Sequence, residues 1–150
     1  MYDIDEIMDM LDWNNSEEVQ QKGIELAKNI KSLNAFVFPG YPNKSVCENC
    51  AIILADKSDE VLTPHLSRLL EWIKDLNWPG APIILDRLKG FTETKMLSFC
   101  VESSVKTAHA TNNHIWLWRI SELLENDALA KALSEDCLAM LQNLDQKPSA

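Results

Sequence analysis

The sequence predicts an all-α protein whose helices stack as repeats of one helix–turn–helix unit. Two segments look like copies of the same turn. Leu11-Asp12-Trp13-Asn14 leads into a helical pattern that ends at Ile30, and Leu76-Asn77-Trp78-Pro79 leads into another that ends at Leu88. No segment shows the alternation of polar and apolar residues that is typical of a half-buried strand. Because one helix–turn–helix cannot bury its apolar face alone, stacked copies indicate a helical repeat protein.

The composition is that of one domain, because 150 residues suffice to bury about 70% of the surface of the unfolded chain. Four glycines are too few for a β-sandwich rich in tight turns or for a glycine-rich phosphate loop. No apolar run approaches the ~20 residues that cross a bilayer, and the first residues are acidic where a secretory signal is basic. We expect a single helical-repeat domain over residues 1–144, a frayed tail over residues 145–150, and a cytoplasmic location.

The amino-terminal half contains three predicted helices and a loop. The first helix spans residues 4–11. The second begins near Asn15, which with Glu18 three residues later has the form of a capping box. Proline and glycine then make residues 34–44 a loop, and the third helix spans residues 45–57. The apolar faces of the second and third helices consist of Val19, Gly23, Leu26, Ile30, Leu33, Val46, Cys50, Ile53 and Leu54.

The next two helices have clear start and stop signals. Ser58 caps the fourth helix, in which Pro64 either restarts the helix or kinks it. Gly90 ends the fifth helix, which two prolines introduce. The apolar residues of this pair are Leu66, Leu69, Leu70, Ile73, Leu76, Ile83, Ile84, Leu85 and Leu88.

The last three predicted helices span residues 92–110, 114–125 and 127–144. We expect the sixth and eighth to turn one face inward, namely Met96, Phe99, Cys100, Ser103, Leu129, Leu133, Cys137, Met140 and Leu144. The prediction is therefore about eight helices in four antiparallel pairs.

Three segments carry a resemblance to a known family. They are residues 70–81, Leu11-Asp12-Trp13-Asn14 and Glu48-Asn49-Cys50-Ala51, and together they resemble a small bacterial family known as domain of unknown function 5071. The resemblance extends over about residues 11–91. The helix openings also resemble HEAT-type repeats, in which a proline-kinked helix packs on one that begins near Asp or Asn. Pro64 and Asn77 hold those places here.

The resemblance implies an α-α superhelix, that is, a HEAT/ARM-like solenoid. It brings no assigned activity and no functional residue, and such a fold does not determine function.

Enzyme and metal signatures are lacking in the sequence. Cys47-Glu48-Asn49-Cys50 has the spacing of a redox pair or of half a zinc site, but Cys100 and Cys137 have no paired spacing. The second cysteine of the motif falls on an apolar helix face, so we interpret the cysteines as reduced core thiols. His109 and His114 flank a predicted turn and suit helix ends. We therefore predict no catalytic residue, no metal and no cofactor.

Two groups of aromatic residues are candidate contacts for a partner. Phe36, Phe38 and Tyr41 belong to a predicted loop, which either docks over a gap between helices or presents a binding surface. Trp116 aligns with the apolar residues of its helix, whereas Trp118 aligns with polar ones. Trp118 is therefore expected to point outward or to pack under a neighbouring side chain; tryptophan is common in interface hot spots.

Acidic residues are concentrated at the amino terminus. Residues 1–18 contain seven carboxylates and no Lys or Arg, whereas the other 132 residues contain sixteen acids and fourteen bases. Asp5, Asp9 and Asp12 form a stripe on the first helix opposite its apolar face. The stripe is either a solubilising cap of the stack or a docking surface for a basic protein.

We interpret the chain as a non-enzymatic protein-interaction module, in one specific form an inhibitor or immunity-type protein that binds a basic partner. The alternative is a small-ligand protein or enzyme with an inter-helix pocket that no motif reveals. Scattered bases and a pI near 4.7 argue against nucleic acid, and no segment suits a membrane. We expect a monomer or a weak homodimer.

Overall fold

The computed structural model describes residues 2–37 and 44–144, and this part of the chain is helical without any strand. The all-α prediction is therefore confirmed for the described residues, while the predicted tail at 145–150 lies outside them. The helices are α1 (Ile4–Met10), α2 (Glu17–Ala27), α3 (Lys44–Ala55), α4 (Asp59–Leu62), α5 (Leu66–Trp72), α6 (Ala81–Lys89), α7 (Thr94–Ala110), α8 (His114–Ser121), α9 (Asp127–Ala132) and α10 (Glu135–Gln142).

Of the two alternatives predicted for Pro64, the structure shows the restart, because the 3-10 turn Thr63–His65 separates α4 from α5. Three predicted boundaries differ from the structure. The second helix ends at Ala27, before the predicted end at Ile30. The predicted seventh helix ends in a second 3-10 turn, Glu122–Glu125. The predicted eighth helix is divided, because extended backbone at Leu133 ends α9 and Ser134 caps α10 through the amide of Cys137.

Short polar side chains cap α1, α2, α4, α8, α9 and α10, but they are not all the residues predicted. Ser58 caps α4 as expected, accepting from the amide of Val61 at 3.3 Å. Ser16, and not Asn15, caps α2. Asn15 instead donates its side-chain amide to the carbonyls of Asp9 (2.7 Å) and Met10 (3.2 Å), at the carboxyl end of α1. Asn15, one residue before the cap of α2, thus connects the end of α1 to the start of α2.

α2 and α3 lie side by side and point the same way. Near their amino-terminal halves, Asn49 donates its side-chain amide to the Gln20 side chain at 2.9 Å. Towards their carboxyl ends, Lys28 and Asp56 line one groove between the two helices. The first contact joins the amino-terminal parts of the two helices and the second joins their carboxyl ends, so α2 and α3 are parallel.

α6 continues this arrangement on the other side of α3. At its beginning, a Cβ on Gly80 would stand 2.8 Å from both the Ala51 Cβ and the Cys47 carbonyl. Near its end, the Arg87 guanidinium donates to the carbonyls of Ala55 (3.1 Å) and Lys57 (2.8 Å). The described helices α2, α3 and α6 therefore form one parallel layer.

The remaining helices pack on this layer and on one another. α1 packs on α2, α5 on both α6 and α7, and α7 on both α8 and α9, while α10 packs on α8. Glu102 of α7 accepts from the Ser134 hydroxyl before α10 at 2.8 Å. Each principal contact thus joins elements that are near one another along the chain.

The carboxyl ends of several helices receive a side-chain donor from a later element. Asn49 of α3 donates to the carbonyl of Leu11 after α1, at 2.7 Å. The indole N–H of Trp116 donates to the carbonyl of Leu70 in the last turn of α5, at 3.0 Å. Asn126 donates to the carbonyl that follows α6, at 2.8 Å. These bonds satisfy carbonyls that a helix end leaves without an intrahelical partner.

The inward face of α7 differs from the prediction. Phe99 is 72% exposed, and Met96 and Ser103 are exposed as well, while Cys100 is half-buried. The buried face of α7 consists instead of Leu97, Ser98, Val101, Ser104, Val105 and Ala108. Both faces have three-and-four spacing, but small residues allow the second to approach its neighbours closely. Val19 of α2, also predicted inward, is 40% exposed.

The two turns that looked like copies do correspond, but in another register. Asp12 accepts from the amide of Asn14 at 2.8 Å, and Asp75 accepts from the amide of Asn77 at 2.9 Å. Each aspartate carbonyl also accepts from the amide three residues later, at 3.0 Å. Asp12 is therefore equivalent to Asp75, so Trp13 and Trp78 are not equivalent.

Gly80→Ala should destabilise the protein by about 2–4 kcal/mol. Gly80 has φ of +87°, which an L-residue adopts at a cost, and its Cβ would collide with α3. Urea unfolding measures the change. Gly90→Ala is the matched control: Gly90 has φ of −96° and the nearest atom to an added Cβ is 3.8 Å away. Equal losses for the two variants would contradict the assigned packing of α3 on α6.

Candidate functional site

Five acidic side chains on α1 and at the start of α2 are exposed, and we call them the acidic surface: Asp5, Glu6, Asp9, Glu17 and Glu18. Within residues 2–37 and 44–144, none of them takes part in an ion pair. The four ion pairs found there use Glu25, Asp59, Glu122 and Glu125. Two of the three predicted contact residues of α1, Asp5 and Asp9, thus lie on this surface.

Asp12, the third predicted contact of α1, is half-buried and builds a turn. It accepts from the amide of Asn14 at 2.8 Å and from the hydroxyl of Ser45 at 3.0 Å. The first of these bonds, and then the second, holds the pKa of Asp12 below its usual value. Its carboxylate connects α1 to α3, which gives it a structural task that Asp5 and Asp9 do not share.

Aromatic residues border the acidic surface. Trp13, which follows the stripe directly, is 45% exposed, although its amide and carbonyl are bonded to Ser45 and Gln20. The Tyr2 hydroxyl accepts from the Lys22 ammonium at 2.7 Å, and the same ammonium stands over the Tyr2 ring. The motif Leu11-Asp12-Trp13-Asn14 does not by itself predict that Trp13 is exposed, but the position of Trp13 in a turn between two helices does.

The predicted aromatic contacts have different environments. Phe36 is fully buried and belongs to the core. The start of the predicted aromatic loop therefore docks on the helices and does not present a binding surface. Phe38 and Tyr41 lie outside the described residues. Trp116 is buried as expected, and Trp118 is half-buried.

The four cysteines are free thiols, of which Cys47, Cys50 and Cys137 are buried. Trp78 directs its indole N–H at the Cys47 sulfur, 3.4 Å away. Burial raises the pKa of Cys50, with a smaller contribution from Cys47. Burial, and then Glu102, raises the pKa of Cys137 to about 11. The thiolate, which is the nucleophile and metal ligand, is thus disfavoured at both positions.

We expect one thiol to react readily with a disulfide reagent at pH 8. Cys100 is half-buried and should react first, whereas the other three cysteines should react only after unfolding, because they are buried. Kinetics of thiol titration in buffer and in denaturant measure this. Cys100→Ser should remove the fast phase and leave the slow one. A second fast thiol that survives this substitution would contradict the interpretation of core thiols.

A polar cluster around Asp59 ties α4 to α6. Asp59 accepts from Arg87 at 2.6 Å, from the amide of Thr92 at 2.8 Å and from the Thr92 hydroxyl. Burial opposes ionisation of Asp59, but the bonds from Thr92 and Arg87 outweigh it and lower its pKa. Because the partners of Asp59 all belong to the fold itself, we interpret the cluster as a stabilising contact between α4 and α6 and not as a binding site.

Asp59→Asn should lower the free energy of unfolding by about 1.5–3 kcal/mol at pH 7, because bonds to a charged group are lost. The lowered pKa makes this contribution complete above the unfolded-state pKa, near 4. It disappears as the pH falls through the folded-state pKa, which is lowered, so the variant and the native protein should converge only at a pH below the unfolded-state pKa. Urea unfolding between pH 7 and pH 2.5 measures the difference. Asp56→Asn is the control, and a pH-independent difference would contradict the assignment.

Two grooves flank α3 on the parallel layer. The first, of about 360 Å³, lies between α2 and α3, and the second, of about 420 Å³, lies between α3 and α6. Ala55 lines both of them. A third cleft of about 350 Å³ between α7 and α10 includes Lys106, His109 and Asp136.

The described residues contain neither a metal-binding constellation nor a membrane-spanning helix. No three of their His, Cys, Asp or Glu side chains are grouped to hold an ion. No helix among them is long and apolar enough to cross a bilayer.

Fold and surface together define a class: an all-helical protein whose described part carries an unpaired acidic surface, two adjoining grooves and no constellation for metal binding. The chain belongs to the family described as Domain of unknown function (DUF5071), whose model matches residues 44–149. The family named from sequence is thus confirmed, but the match begins at α3 and reaches the carboxyl terminus instead of covering residues 11–91. Neither a curated protein nor a solved structure matches the chain.

Proposed function

We propose that the protein is a non-enzymatic interaction module whose acidic surface attracts a basic protein partner. One observation carries the proposal: the five carboxylates of the acidic surface are exposed and make no ion pair within the described residues. Four acids elsewhere in the same part of the chain form ion pairs, whereas residues 1–18 contain no Lys or Arg at all. An unpaired cluster of one sign is therefore available to a molecule of opposite charge.

The position of Asp9 supports a role beyond solubility. It lies in the last turn of α1, where a negative charge opposes the helix dipole by about 0.3–1 kcal/mol. No base occupies that turn. A cluster of like charges raises the association rate of an oppositely charged partner and selects it against others, more than it adds to affinity.

The scaffold we propose is a HEAT-like solenoid. The parallel layer of α2, α3 and α6 supports it, as does the packing of each helix on elements near it in the chain. Solenoids present extended surfaces to partners. In its specific form, the proposal is an inhibitor or immunity-type protein that neutralises a cationic partner, such as a secreted nuclease toxin. The half-buried Trp118 is a second candidate contact.

Neutralising the acidic surface should weaken capture of a basic protein from lysate of the source organism. Asp5→Asn/Glu6→Gln/Asp9→Asn removes three charges, and we expect an affinity loss of about tenfold at low salt, from about 0.5 kcal/mol per charge. High salt should release the partner from the native protein.

The matched control is Glu93→Gln/Glu135→Gln/Asp136→Asn, which removes three exposed charges elsewhere and should retain the partner. If both variants weaken capture of the partner equally, the effect arises from the net charge of the protein, and the acidic surface has no specific role. Capture that neither salt nor the first variant changes would refute the proposal. In that case the better proposal is a small-ligand protein, in which a metabolite binds the α7–α10 cleft and raises the Tm of the protein.

A further inference from the structure

We propose that the two grooves flanking α3 form a single docking site for an apolar and basic segment of a partner protein. The inference rests on the proposed function, because it names the part of a basic partner that is held after the acidic surface has attracted it. We call the combined site the α3 groove; it is defined by Ile24, Ile52, Ala55, Asp56, Ile83 and Asp86.

The two grooves adjoin the same helix. Ala55, a small residue at the end of α3, lines both of them. Parallel helices lie ~8–10 Å apart, so three of them span roughly 20 Å. That length accommodates about six extended residues or about thirteen helical ones. The site is thus suited to a short segment of a protein chain.

Apolar side chains form the floor of the α3 groove. Ile52 is 41% exposed although it stands in the middle of α3. Ile24 of α2 and Ile83 of α6 are half-buried and pack on the core, so each offers one side to the groove. Ile24 and Ile52 line the first groove and Ile83 lines the second, and we call these three isoleucines the apolar strip. Partly exposed apolar side chains in a groove favour an apolar occupant.

The charges of the α3 groove determine the chemistry of its occupant. Both lining bases are already paired within the chain, Lys28 with Glu25 at 3.1 Å and Arg87 with Asp59 at 2.6 Å. Asp56 and Asp86 are exposed and make no ion pair in the described part of the chain. Two unpaired carboxylates beside an apolar strip fit a segment that combines apolar side chains with Lys or Arg.

The test uses a fluorescently labelled Leu/Lys amphipathic peptide of about fourteen residues, with a Leu/Glu peptide of the same pattern as the charge control. Fluorescence anisotropy at low salt measures binding to the native protein. The groove variant is Ile52→Ser/Asp56→Asn/Asp86→Asn, which changes only exposed side chains. We expect it to raise Kd for the Leu/Lys peptide about tenfold, with the Leu/Glu peptide unbound.

The matched control is Phe99→Ser/Glu135→Gln/Asp136→Asn. It removes one exposed apolar side chain from α7 and two exposed acids from α10. We expect this control to change Kd less than twofold. Circular dichroism of all variants confirms that each remains folded. Equal weakening by groove and control variants overturns the inference, as does equal binding of the Leu/Glu peptide or no binding of the Leu/Lys peptide at ~1 mM.

The acidic-surface variant separates this inference from the proposed function. If that variant alone abolishes peptide binding, the peptide occupies the acidic surface, so the α3 groove is refuted while the function stands. If the groove variant loses the peptide and the acidic-surface variant captures partner like the native protein, the α3 groove stands and attraction by α1 is refuted.

Discussion

A stack of short helices creates many helix ends, and the structure depends on how their free carbonyls are satisfied. A buried carbonyl that loses its partner costs about 1–3 kcal/mol, a large fraction of the stability of a small domain. Here the donor comes repeatedly from an element further along the chain, as the bonds from Asn49, Arg87, Trp116 and Asn126 show. Each bond ties the end of one helix, or the residues just after it, to a later element. Within the parallel layer, Arg87 of α6 in this way joins the end of α3.

The amino-acid sequence predicts helices well here, and predicts their packed faces less well. Periodicity places α1, α3 and α6 within a few residues of their observed bounds, because capping residues and prolines mark their ends. α7 shows the limit of periodicity. It carries two apolar faces, one through Phe99 and one through Val101. Close approach to α5, α8 and α9 selects the face with serine and alanine, which polarity alone would have placed outside.

The acidic surface is visible in the sequence because it is local: seven acids within eighteen residues remain close together in any fold. The α3 groove is not, because its residues come from segments around 24, 52 and 83 that meet only when three helices lie parallel. Asp12 illustrates a third case. Its charge suggests a contact residue, while its bonds to Asn14 and Ser45 show a turn. The composition predicts a negative electrostatic field around the amino-terminal segment. Only the structure distinguishes a carboxylate that is bonded within the fold from one that is exposed and free to bind a partner.

Attraction and retention of a partner make different physical demands, and the two proposals assign them to different parts of the chain. A long-range field acts across ~8–10 Å of physiological salt and needs exposed, unpaired charges, but such charges are screened and hold a partner weakly. Retention needs desolvated apolar contact with a few charges at its border. The acidic surface meets the first demand and the α3 groove the second. Since Asn49 bonds to both Leu11 and Gln20, α3 is fixed to the helices that carry the acidic surface. Under the proposed function, a partner attracted by α1 would then meet a groove on helices that are tied to α1.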